Sequence, residues 1–115
     1  MNNKNDFVFV EHILESIKAI KEFSKNLKKE ELIHNRLKQS AIVREIEIIG
    51  EASKNISKET KEKYYKIAWR EIIGTRDKMI HQYFGVDLDI VWNIITKDIL
   101  TLENQILKIK EDLEE

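Results

Sequence analysis

Apolar residues recur three and four positions apart from the first decade of the chain. Phe7, Val10, Leu14, Ile17 and Ile20 form one stripe, widened by Phe9, Ile13 and Phe23. That period follows one face of an α-helix and predicts an amphipathic helix from about Asp6 to Asn26. The charged run Lys28-Lys29-Glu30-Glu31 interrupts the pattern and predicts a turn. A second helical run extends from about Glu30 or Asn35 to Ile56. Its apolar positions fall on two stripes, one of Ile42, Ile46, Ile49 and Ile56, the other of Ala41, Ile48 and Ala52. A helix apolar on more than one face needs more than one neighbour. It is either the central helix of a bundle or part of a subunit interface.

Ser57 suits the N-cap of a short helix through Tyr65. Ile67, Trp69, Ile72 and Ile73 lead into Gly74-Thr75 and a further helix from about Thr75 to Phe84. Gly85 suits a left-handed stop after it. Asp87 is placed to cap the last helix, with Val86 and Val91 as its hydrophobic staple. That helix carries Leu88, Val91, Trp92, Ile95, Ile99, Leu102, Ile106, Ile109 and Leu113 as a regular seam. No repeat or linker divides the chain. The pattern predicts one all-α domain over residues 1–115, an antiparallel helical bundle.

Composition narrows the function classes. The 115 residues are 42% hydrophobic and 36% charged, with no proline and three glycines. Uninterrupted helices follow from the first absence; a glycine-rich phosphate loop is disfavoured by the scarcity of glycine. With no cysteine there is no disulfide, thiolate metal site or cysteine nucleophile, which fits a cytoplasmic location. The start MNNKNDFVFV is too short an apolar run for a signal peptide, and no stretch is apolar enough to span a membrane. A net charge of -1 counts against simple duplex binding, though not against a local phosphate site.

Candidate chemistry concentrates in Arg76-Asp77-Lys78-Met79-Ile80-His81-Gln82-Tyr83. Arginine grips phosphate with a fixed fork of donors, and histidine moves protons near neutral pH. On a straight helix Arg76 and Tyr83 lie about 20° apart, while His81 is about 140° from Arg76. Asp77 and His81, four apart, would share a face, so Asp77 would orient the imidazole. These residue types suit RNA phosphodiester cleavage. The ribose 2′-OH attacks the adjacent phosphate, with His81 as general base or acid and Arg76 stabilising the developing charge. Tyr83 would orient the phosphate or a base. Neither metal nor cofactor is required. One histidine does not easily serve as both base and acid, so a homodimer bringing two motifs together is expected. The plainer use of an arginine and a histidine here is a helix cap and a surface contact.

The flanks add a family likeness. Trp69-Arg70-Glu71-Ile72 precedes the motif, Gly85-Val86-Asp87-Leu88-Asp89-Ile90-Val91-Trp92 follows it, and Glu47-Ile48-Ile49-Gly50-Glu51-Ala52-Ser53-Lys54 lies upstream. Over nearly its whole length the chain resembles the HepT-like toxins of the HEPN superfamily, which pair with a minimal nucleotidyltransferase (MNT) antitoxin. The resemblance implies a four- to five-helix up-down bundle, a homodimer with the motif at a shared cleft, and a metal-independent endoribonuclease of a toxin–antitoxin system. Arg76 and His81 carry over as catalytic, with Asp77 as the motif's polar residue. Tyr83 matches the tyrosine that the partner modifies with AMP, and Glu51 is a further candidate to face the cleft. The alternative is a non-catalytic helical partner or substrate-binding module of a nucleotidyltransferase.

Outside the motif, His12 and His34 read as surface or interface residues, and Trp69 and Trp92 as core anchors. Tyr64-Tyr65 reads as packing for a short helix, with base stacking as its other use. Lys58, Lys61, Lys63 and Lys66 form a solvated face, also placed to guide RNA. Lys108 to Glu115 reads as a fraying helix end.

Overall fold

In the computed structural model the described residues are 4–81 and 85–114, with side chains described for 5–80 and 85–114. The first stripe becomes α1 (Lys4–Phe23), which ends three residues earlier than the periodicity suggests. Asn26, with φ of 58°, takes the left-handed conformation that reverses the chain. The charged run expected to be a turn instead opens a one-turn helix, α2 (Lys29–Ile33). Glu31 accepts from the Lys28 N–H at 2.8 Å at its start, and Leu32 is its buried anchor. Asn35 then caps α3 (Arg36–Lys54) by accepting from the Lys38 N–H. Gln39 donates back to the Leu32 and Ile33 carbonyls, closing the end of α2.

Helix α3 is central. It packs on α1, α2, α5 (Trp69–Ile73) and α6 (Thr75–Met79). Its first stripe, Ile42, Ile46 and Ile49, is buried together with Ala52. Of the second stripe only Ala52 is buried, while Ala41 and Ile48 stay half-buried.

The last helix is continuous but not regular. Asp87 caps α7 (Leu88–Asn93) by accepting from the Asp89 and Ile90 N–H groups. A π-helical turn (Ile94–Asp98) joins α7 to α8 (Ile99–Glu114). The wider turn suits the local spacing. Val91, Ile95 and Ile99 step by four and all stay buried, and Leu102, Ile106 and Ile109 continue the seam. Ion pairs Lys21–Glu103 at 3.0 Å and Glu11–Lys110 at 3.5 Å run in reversed order along α1 and α8, so the two are antiparallel. The C-terminal turns, expected to fray, are tied down by that second pair and by the Tyr64 hydroxyl, which donates to Asp112.

The result is an all-α bundle. Val10, Ile13, Ile17, Ile20, Ile42, Ile106 and Ile109 lose essentially all exposure, each contributing about 1.5–3 kcal/mol of burial free energy. One polar feature escaped the periodicity. Asp6 is 3% exposed and accepts from the Ser57 N–H at 2.8 Å, the Ser57 hydroxyl at 2.7 Å and the Thr60 hydroxyl at 2.6 Å. It bolts the start of α1 to the start of α4 (Lys58–Lys63), which Ser57 caps through the Thr60 N–H.

Between α6 and α7 the helical pattern breaks. The helix expected to reach Phe84 stops at Met79. Ile80 turns extended, with φ of −105° and ψ of 116°, and two two-residue strands, β1 (Ile80–His81) and β2 (Gly85–Val86), pair antiparallel. Ile80 is β-branched and suits extended backbone. Gly85 does adopt positive φ, 80°, but as the first residue of β2 rather than as a helix stop.

Candidate active site at the helix-to-strand turn

Arg76 sits in the first turn of α6, which starts directly after Gly74. A Cβ on Gly74 would lie 3.2 Å from the Arg70 carbonyl oxygen, so the α5–α6 junction is tight enough to favour glycine. Met79, fully buried, anchors the other end of α6. Between these fixed points the Arg76 side chain reaches back to α3, where its Nε–H donates to Glu47 Oε2 at 2.6 Å. Arg76 is 67% exposed, so this pair contributes orientation more than stability. The two Nη groups carry the other four N–H donors, enough for a bidentate grip on phosphate.

His81 lies on β1, opposite Gly85, with Ile80 opposite Val86. The Asp87 N–H donates to the Met79 carbonyl at 2.7 Å and extends the pairing. The backbone of His81 is therefore held by a strand, not by the helix that carries Arg76. This removes the helical-wheel argument, because the 100° rotation per residue does not apply past Met79. The shared helical face of Asp77 and His81 likewise required a helix running past Met79. Asp77 is an exposed residue of α6, and the pair is separated by the change from helix to strand. Tyr83, with Gln82 and Phe84, lies outside the described residues, as does the His81 side chain.

Glu51 is exposed on α3, and its carbonyl accepts from the Asn55 amide at 2.9 Å. Glu47, one turn earlier on the same helix, is the carboxylate that meets Arg76. The sequence held a signal for it, since positions 47 and 51 share a helical face. Periodicity does not tell which turn of α3 faces α6.

A cavity of about 840 Å³ borders the same helix, with Thr75 and Lys78 on its wall but not Arg76. It is floored by isoleucines and rimmed by Glu71, Asp87, Asp89 and Asp98, an acidic lining that disfavours a phosphate. Among the described residues no group of three or more His, Cys, Asp or Glu side chains is placed to hold a metal ion. Among them, too, no helix is long and apolar enough to cross a membrane. His12 and His34 are exposed. Trp69 is buried and Trp92 half-buried against the core.

Comparison with known proteins decides the family. Residues 13–109 match the family described as Ribonuclease HepT-like. The chain belongs to the HepT-like ribonuclease family. A protein of Methanocaldococcus jannaschii named "Gamma-glutamylcyclotransferase and putative RNase" is 45% identical over 107 residues, 93% of this HepT-like chain but only 48% of that protein. "Putative RNase" of Caldanaerobacter subterraneus subsp. tengcongensis is 45% identical over 101 residues, covering 88% of this chain and 90% of its own. "Probable ribonuclease HepT" of Thermococcus cleftensis is 40% identical over 103 residues, covering 90% and 94%. No solved structure matches significantly.

Proposed function

We propose that this chain is a metal-independent endoribonuclease in which Arg76 and His81 act on the phosphodiester backbone of RNA. The observation that carries the reading is Arg76, exposed and oriented by Glu47, five residues before His81 on the adjoining strand, in a chain of the HepT-like ribonuclease family. The imidazole of His81 takes the proton of a ribose 2′-OH, which attacks the neighbouring phosphorus. The bond from phosphorus to the 5′-oxygen breaks, the 5′-oxygen takes up a proton, and a 2′,3′-cyclic phosphate and a 5′-hydroxyl result. Arg76 neutralises charge on the non-bridging oxygens.

The leaving oxygen needs a proton donor, and a second copy of the motif in a homodimer supplies it. The half-buried Ala41 and Ile48 on the second stripe of α3 leave room for a subunit interface beside this chemical requirement. The same reading makes the chain a toxin held in check by an MNT-type nucleotidyltransferase. AMP attached to Tyr83, two residues from His81, would add negative charge where the RNA phosphate must enter. Asp77 and Glu51 remain supporting candidates, with Glu47 beside them.

The test is an RNA oligonucleotide with a single ribose among deoxyriboses. Cleavage 3′ of that ribose, with a cyclic phosphate on the product, is expected in the presence of a chelator. Equal cleavage of the all-deoxy strand contradicts the mechanism.

A further inference from the structure

A second groove, away from α6, combines stacking and charge. It has a volume of about 450 Å³ and is walled by Tyr64, Tyr65, Lys63 and Lys66 on one side and by Asn104 and Lys108 of α8 on the other. Among the described residues three lysines and no acidic residue line it, while Asp112 is engaged as the acceptor of the Tyr64 hydroxyl. Tyr65 is 73% exposed, a large ring presented to solvent.

The platform is held in place. The Tyr64 carbonyl accepts from the Ile67 N–H and from the Trp69 indole, both at 3.1 Å. The Tyr64 hydroxyl donates to Asp112, and the Lys63 ammonium lies 5.4 Å from the centre of the Tyr64 ring. The turn that carries Tyr65 is thereby fixed against the buried Trp69 and the end of α8. Its volume falls within the range of about 300–1,000 Å³ typical of ligand sites. An exposed aromatic face stacks any base, and lysines around it meet backbone phosphates.

We propose that this groove is an accessory subsite for single-stranded RNA, in which a base stacks on Tyr65 and flanking phosphates meet Lys66 and Lys108. The proposal rests on the ribonuclease reading for its choice of ligand. The subsite lies outside the motif, so it tightens binding of a strand long enough to reach it and leaves the chemical step alone. The acidic cavity beside α6 shares Lys66 and Gln105 with this groove. The strand is therefore expected to pass over Lys66 and skirt the carboxylates rather than enter among them.

The experiment measures binding of a fluorescein-labelled twelve-nucleotide oligouridylate by anisotropy over a salt series. Tyr65→Ala is expected to raise Kd about tenfold, or about 1.4 kcal/mol. Tyr65→Phe, which keeps the ring, is expected to stay within twofold. Lys66→Ala with Lys108→Ala is expected to lower the salt slope by about 1.4, at about 0.7 per phosphate contact on a single strand. Cleavage run in parallel is expected to show the Tyr65→Ala effect in KM, with kcat unchanged. Binding unaffected by Tyr65→Ala while cleavage proceeds overturns the subsite and spares the ribonuclease. Tyr65-dependent binding without cleavage supports the subsite and overturns the ribonuclease. Loss with the lysine variants but not with Tyr65→Ala indicates a general polyanion surface and overturns the subsite. No binding by the unsubstituted chain overturns both.

Discussion

Removing the Asp6 carboxylate is expected to destabilise the bundle more than any other surface-distant polar change. Its oxygens accept from one backbone N–H and two hydroxyls at 2.6–2.8 Å, and both Asp6 and Thr60 are buried. A hydrogen bond to a charged group contributes about 1.5–3 kcal/mol. The three do not add, because they share one carboxylate and because Asp6→Ala also relieves its desolvation. The Ser57 and Thr60 hydroxyls lie 3.1 Å apart and can pair with each other once the acid is gone. That leaves the Ser57 N–H and one of the two hydroxyl protons without an acceptor. A net loss of about 3–4 kcal/mol follows, against a total of about 6–17 kcal/mol for a chain of this length. Asp6→Asn keeps an acceptor for the Ser57 N–H and is expected to lose about 1–2 kcal/mol. Urea unfolding followed by far-ultraviolet circular dichroism reads both, and the slope should not change if the fold is kept. A loss under about 1 kcal/mol for Asp6→Ala would refute the reasoning, since the bolt between α1 and α4 would then carry little.

Other substitutions probe the site itself. Glu47→Ala is expected to lower RNA cleavage about tenfold by freeing Arg76 while changing stability by less than about 1 kcal/mol, because the pair is exposed; unchanged cleavage would remove Glu47 from the site. Glu51→Ala is expected to lower cleavage by less than Glu47→Ala, about two- to fivefold, in the same assay, because Glu51 supports the site without meeting Arg76; cleavage equal to the parent would remove it from the site. Gly85→Ala is expected to cost about 1–2 kcal/mol, because an L-residue is forced to positive φ although open space surrounds the position. A urea midpoint equal to that of the parent would show that the β1–β2 pairing tolerates another backbone.

The helices were legible where spacing alone decides them. The stripe from Val10 to Ile20, the Ser57 and Asp87 caps and the seam from Val91 to Ile109 are local patterns that tertiary packing then uses. What remained hidden depends on partners distant in sequence. Asp6 opens an amphipathic helix and looks like an ordinary first-turn acid; only the return of the chain at Ser57 and Thr60 buries it. The end of α6 differs from the periodicity because Gly85, with its positive φ, opens β2 rather than stopping a helix. The change to strand comes at Ile80, whose extended backbone is fixed by pairing with Val86. Arg76 stands out by its type, whereas its orienting carboxylate, Glu47, lies one turn before Glu51 on α3, and spacing does not tell which turn of α3 meets α6.

The central claim is that Arg76 and His81 perform the cleavage. Single-turnover rates on an RNA substrate, in the presence of a chelator, test it most directly for the parent chain, Arg76→Ala and His81→Ala. Loss of the phosphate-holding arginine is expected to slow the reaction about 10²–10³-fold, and loss of the proton-transfer group about 10²–10⁴-fold, each without loss of fold. Equal rates for all three proteins, or a parent chain that leaves RNA intact, would contradict it.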